Sequence, residues 1–272
     1  MIRRIKLHTG LSVLALSGAL AAAGCGGEGG SKGGEGDEGG AVVAHQGAAA
    51  PTGEGEQAAA ATAAEDFPAY MSALLSIKGH LKTGGALYSL GDAAGAATHM
   101  KHPKDELYAK LEPAFRAHRA KGFAKELEQL SAAVEGGEAT GVMFERQAAV
   151  FAAIDAAIAA AAPSTRDQLL GIASLVETAG KEFDLGVQHG AVVRLHEYQD
   201  AHGFLTVAVE TLGRMKAKDG AEEAAVADAR EQAARALAVA PSVVPGDVSA
   251  KESSPIFGAA ARIELKARGL SE

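Results

Sequence analysis

The chain reads as an all-α protein: an antiparallel helical bundle preceded by a signal peptide and a disordered, Gly/Ala-rich tether. Three observations carry this. Apolar residues recur at steps of three and four through most of the sequence after residue 65. Tryptophan is absent and aromatics make up only 4% of the chain, while alanine is abundant, which favours helices packed through small side chains over a sheet core. No alternating run is long enough to build a sheet. The expected boundaries are 1–24 for the signal, 25–64 for the tether and 65–272 for the bundle.

The signal comes first. Arg3, Arg4 and Lys6 form a basic region, Leu11 to Ala23 is apolar and uncharged, and small residues lead to the only cysteine, Cys25. That order is a secretory signal, too short for a comfortable membrane span. Arg3-Arg4 also fits a twin-arginine export signal. Ala22-Ala23-Gly24-Cys25 resembles the lipobox of bacterial lipoproteins, with alanine where that family most often has leucine. The resemblance implies cleavage before Cys25 and lipidation of its thiol, palmitate included. With Gly26 next to the cysteine in place of an acidic residue, it also implies passage to the outer membrane, facing the periplasm. Lipidation accounts for an unpaired cysteine in an exported protein.

From Gly26 to about Ala64 large apolar residues are nearly missing, and glycine and alanine dominate. Such a segment cannot bury enough surface to offset its ordering entropy. As a flexible coil it has a reach of roughly 35 Å. Its acidic residues outnumber its single lysine, Lys32, which keeps it extended. His45 reads as a solvated linker residue.

The helices follow in order. Asp66 caps the first, with Pro68 in its first turn. Tyr70, Leu74, Ile77, Leu81, Gly84 and Tyr88 form one buried stripe. Gly84-Gly85 weakens this helix or lets a neighbour come close. Gly91-Asp92 ends it and caps a short helix to Met100. His102-Pro103 breaks the chain and starts the next helix, bent near Pro113. Another helix covers about Phe123 to Val134 and closes at Gly136-Gly137. Met143, Gln147, Val150, Ile154 and Ile158 mark a helix to about Ala162. Ser164 and Asp167 form a capping box before Leu169, Ile172, Val176, Ala179 and Phe183. A long helix from about Ala191 carries Leu195, Tyr198, His202, Leu205, Val209 and Leu212. Asp219-Gly220 precedes a polar, alanine-rich helix, and Ser254-Pro255 opens the last. The short connections make a bundle, as one unit or as two halves joined near Pro163.

Composition limits function. The formal charge of −8 becomes more negative once the signal is removed, which disfavours nucleic acid and anionic lipid as partners. One cysteine excludes an internal disulfide and a thiolate metal cluster. There is no P-loop, HExxH, GxSxG or dinucleotide-binding glycine pattern, so a binding or structural protein is expected and an enzyme is not.

The histidines carry the chemistry. His99, His102 and Glu106 follow one another at steps of three and four, as helix neighbours do, with Pro103 between them. His196 and Asp200 form an i, i+4 pair. His202 lies inside an apolar stripe, as a ligand or as a hydrogen-bonded core residue. His80 flanks the stripe of the first helix. Imidazoles and carboxylates projecting inward from facing helices are how bundles hold metals. His118, among Arg116, Arg119 and Lys121, reads as surface. Asp155, the only charge between Ala148 and Ala162, marks the wet side of an alanine helix or, if buried, needs a cationic or histidine partner.

The helical plan, with Gly79-His80 and His196-Glu197, resembles the imelysin-type periplasmic iron-uptake proteins. Their motif is glycine, any residue, histidine, two residues and glutamate. Here Gly79 directly precedes His80, and Thr83 stands at the glutamate position. The resemblance implies a helical bundle engaged in metal acquisition.

The expected function is therefore a lipid-anchored bacterial envelope protein whose bundle binds a divalent or ferric cation, for iron, copper or zinc handling. The candidate ligands are His80, His99, His102, Glu106, His196, Asp200 and His202. The alternative is a non-catalytic structural or interaction lipoprotein that docks another envelope protein and holds no metal.

Overall fold

The structure, a computed structural model, describes residues 59–249 and 251–271. Cys25, the signal and most of the tether lie outside them. The described residues are helical almost throughout, and none of their helices is long and apolar enough to cross a membrane.

The fold is built around α1 (Phe67–Ser89). Asp66 caps it by accepting the Ala69 N–H at 3.0 Å, and Pro68 occupies the first turn, as expected. The expected single stripe is too narrow. Met71, Leu75 and Lys78 are buried as well as Tyr70, Leu74, Ile77 and Leu81, so α1 has neighbours on every side. Small residues allow this. Gly84 lies against Ala96 and Met100, and Gly85 against the Gln147 amide, which donates to Leu81 O at 2.5 Å.

Two layers flank α1. On one side lie α2 (Ala93–His102), α3 (Tyr108–Ala117), α4 (Ala124–Glu135) and α5 (Thr140–Ala160). Their core gathers Tyr70, Leu74, Ile77 and Leu81 with Met100, Leu107, Phe115, Phe123, Leu127, Met143 and Ile154. On the other side α6 (Thr165–Gly186), α7 (Leu195–Arg214), α8 (Gly220–Leu237) and α9 (Ser254–Arg268) pack on one another as four helices. Met71 and Leu75 of α1 join that second core, beside Leu169, Ile172, Val176, Phe204 and Leu205. The chain passes from the first layer to the second at Pro163, and α1 is the wall the two layers share. Fully burying one leucine of that wall is worth about 1.5–3 kcal/mol.

Local sequence explains most boundaries. Gly91 adopts φ +84°, and Asp92 Oδ1 then accepts the Gly95 N–H at 2.8 Å to start α2. The capping box of Ser164 and Asp167 is complete. Two expected boundaries fail. His102-Pro103 does not break the chain. Proline lacks an N–H, and the backbone continues as a wider π-helical turn, Pro103–Leu107, in which the Tyr108 N–H donates to Pro103 O. The long helix starts at Leu195 and not at Ala191. Val187–Gln188 (β1) and Ala191–Val192 (β2) pair in a tight hairpin instead, turned by His189 at φ 52° and Gly190 at φ +76°. Leu195 is consequently exposed and not part of the stripe.

The tether also ends earlier than expected. Residues 59–62 are helical, and Ala59, Ala60 and Ala63 are buried against the α1–α5 core. His118 holds them there and is not a surface residue. Its Nε2 donates to Ala63 O at 2.7 Å, and its ring stacks on Tyr70 at 4.3 Å.

Candidate metal centre

Helices α1, α2 and α7 converge on one cluster of polar side chains. The approach of α1 and α7 is set by glycine. A Cβ on Gly203 would run into Thr83 Oγ1 and lie 2.6 Å from Gly79 O; a Cβ on Gly79 would meet the Phe204 ring. The two backbones therefore touch, and the residues beside these glycines face each other at short range. Thr83 Oγ1 donates to Gln199 O at 3.1 Å, and Lys82 pairs with Glu210 at 2.5 Å, both along the same crossing.

Asp200 is the hub. His80 Nδ1 lies 2.7 Å from its Oδ1 in a hydrogen bond, His99 Nδ1 2.9 Å from the same oxygen, and His196 Nε2 3.2 Å from Oδ2. The i, i+4 spacing puts His196 and Asp200 on one face of α7. The i, i+3 spacing does the same for His99 and His102 on α2. The His99 and His196 rings stack with centroids 4.0 Å apart, and the His102 ring lies 4.7 Å from that of His80. Phe204 presents its face or edge to His80 at 5.0 Å and closes the apolar side. His80, His99 and Asp200 are buried; His196 keeps some exposure.

His99 is held at one end of its ring. Its Nε2 lies 3.0 Å from Gln199 Oε1. Its Nδ1, close to Asp200, makes no hydrogen bond among the described residues. A buried imidazole nitrogen beside a carboxylate oxygen, with no hydrogen bond between them, is the arrangement a bound cation would complete.

The electrostatics favour a cation. Burial alone would raise the Asp200 carboxyl, but the imidazoles of His80, His196 and His99, with the His80 hydrogen bond, hold it well below the usual carboxylate range. Burial pushes His196 down to about 4, against the pull of Asp200, so its imidazole is neutral at neutral pH. The pocket is thus an ionised carboxylate ringed by nitrogen donors.

One ligand atom from each of His80, His99 and Asp200 lies within 4.8 Å of the others. Two imidazoles and one carboxylate are a donor set that suits iron(II), and the same donors suit zinc and copper(II). The residues therefore fit a transition metal. His196 and His102 flank the three and are placed to supply further nitrogens.

Five of the seven candidate ligands are brought together: His80, His99, His102, His196 and Asp200. His202 is not among them. Two residues beyond Asp200 it points about 200° around α7, where its Nδ1 donates to Ala240 O at 2.8 Å. It is the hydrogen-bonded alternative. The Glu106 side chain lies outside the described residues; its backbone sits in the π-helical turn. Asp155 is half exposed, on the wet side of α5, yet it has a buried partner: Lys78 Nζ reaches it at 2.6 Å and lies 5.1 Å from the Phe151 ring centroid.

Sequence reasoning missed Gln199, Phe204 and the Gly79/Gly203 contact. The glycines were visible, one next to His80 and the other three residues after Asp200, but their pairing is a property of the crossing. Lys78, a charge within the apolar run from Leu74 to Leu81, could have been flagged as a residue needing a partner.

Comparison with known proteins adds one match. Residues 161–268 match the family described as the iron permease-associated 4-helix bundle domain. That span is α6 to α9, the four mutually packed helices. It includes His196, Gln199 and Asp200 but not His80, His99 or His102, which lie on α1 and α2. The match does not name the imelysin type. Searches of the curated proteins and of the solved structures find no match.

Proposed function

We propose that the protein is a lipid-anchored envelope protein that binds a transition-metal ion, iron foremost, between α1, α2 and α7. The carrying observation is the convergence of His80, His99 and Asp200, three buried donors within 4.8 Å. The iron permease-associated description of the α6–α9 match favours iron over zinc or copper. Cys25 provides the anchor, facing the periplasm from the outer membrane, and the tether gives the bundle its reach. A membrane iron permease is the partner that the family description suggests, with the bundle receiving or delivering the ion. The role is binding and hand-over, not catalysis.

The test is thermal unfolding of the tag-free protein with and without iron(II) under anaerobic conditions. A ligand at a hundred times its Kd stabilises by about 2.7 kcal/mol, so the midpoint should rise by several degrees. That rise should vanish in Asp200→Asn and survive in His202→Ala. No rise with iron(II), zinc(II) or copper(II) would leave the interaction lipoprotein as the better reading.

A further inference from the structure

We propose that Gln199 is a positioning residue: it fixes the tautomer of His99 and so makes Nδ1 the nitrogen that faces the metal. The inference rests on the metal reading above.

Consecutive residues of α7 address the two nitrogens of one ring. Gln199 Oε1 lies 3.0 Å from Nε2, and Asp200 Oδ1 lies 2.9 Å from Nδ1. A neutral imidazole carries a single N–H. An amide oxygen only accepts, so that hydrogen belongs on Nε2, and Nδ1 keeps its lone pair. The other end of the ring agrees: Nδ1 makes no hydrogen bond to Asp200 despite the short distance. Asp200 Oδ1 already has a hydrogen-bond partner in His80 Nδ1 at 2.7 Å.

A lone pair beside an ionised carboxylate is repulsive when nothing lies between them. A cation removes the repulsion and binds both. Gln199 therefore keeps a competing proton off the ligand nitrogen and holds the ring plane ready. Its own backbone is tied down, because Gln199 O accepts the Thr83 hydroxyl across the α1–α7 crossing. Outer partners of metal-binding histidines act in this way, and losing one typically costs 10–100-fold in metal affinity.

The experiment uses the full chain in detergent micelles with 15N-labelled histidine. Long-range proton–nitrogen correlation of the metal-free protein reads the tautomer directly, and zinc(II), diamagnetic and redox-inert, is the affinity probe. Wild type should show His99 protonated at Nε2. Gln199→Met, similar in size but without an acceptor oxygen, should lose the pure Nε2–H tautomer and weaken zinc(II) binding 10–100-fold. Gln199→Glu, which restores an acceptor oxygen, should recover both. A wild-type His99 protonated at Nδ1, or a Gln199→Met variant that binds zinc(II) within twofold of wild type, overturns the assignment. A protein with the Nε2–H tautomer, lost in Gln199→Met, that takes up no metal would keep the positioning role and overturn the metal reading alone.

Discussion

His80 and Asp200, 120 residues apart in the chain, meet at 2.7 Å because their helices cross at a pair of glycines. The site is thus a product of the crossing as much as of its ligands. Gly203→Ala would force Thr83 and the Gly79 carbonyl away from α7. We expect a loss of about 1–3 kcal/mol, the usual cost of overpacking, together with weaker metal binding although no ligand is changed. Unfolding in denaturant and a zinc(II) titration of the same variant check both.

His196 and His202 are both on α7, six residues apart, and should behave oppositely. His196→Ala should weaken metal binding at least tenfold. His202→Ala should leave binding unchanged and cost about 1 kcal/mol through the lost bond to Ala240 O. Calorimetric titration of the two variants side by side separates a ligand from a packing residue.

Lys78 and Asp155 form the second polar link, on the far side of α1 from the metal cluster. Lys78 is buried, and burial lowers its pKa despite Asp155. Asp155→Ala would leave a buried ammonium without its carboxylate and should destabilise by about 1–3 kcal/mol. Lys78→Met should fall within about 1 kcal/mol of wild type, because apolar packing often replaces a buried ion pair at little cost. Chemical denaturation of the two variants gives the comparison.

His118 pins the end of the tether. His118→Ala removes the bond to Ala63 O and the stack on Tyr70, so residues 59–63 should become cleavable in limited proteolysis while the bundle stays intact. Cleavage at the same rate as in wild type would refute this role.

Periodicity made most of the fold legible. The helices, the capping box at Ser164 and the punctuation at Gly91-Asp92 and Asp219-Gly220 all follow from local chemistry. The pairs His99/His102 and His196/Asp200 were legible for the same reason, since helical spacing fixes which side chains share a face. What failed was non-local or too short to have a period. The β1–β2 hairpin offers two residues per strand. The π-helical turn at Pro103 looks like a helix break in the sequence, because proline removes a backbone N–H. His202 matched an apolar stripe, but the stripe could not show that Asp200 faces a different neighbour. His118 looked exposed among basic residues because its partners, Ala63 and Tyr70, are distant in sequence.

The most direct measurement is an anaerobic iron(II) titration of the full chain, with Asp200→Asn and His99→Ala beside it. The account predicts about one equivalent bound by wild type, at least a hundredfold weaker binding in Asp200→Asn, which removes the pocket's only carboxylate among the described ligands, and weakened binding in His99→Ala. Equal binding by all three proteins, or none by wild type, would contradict it.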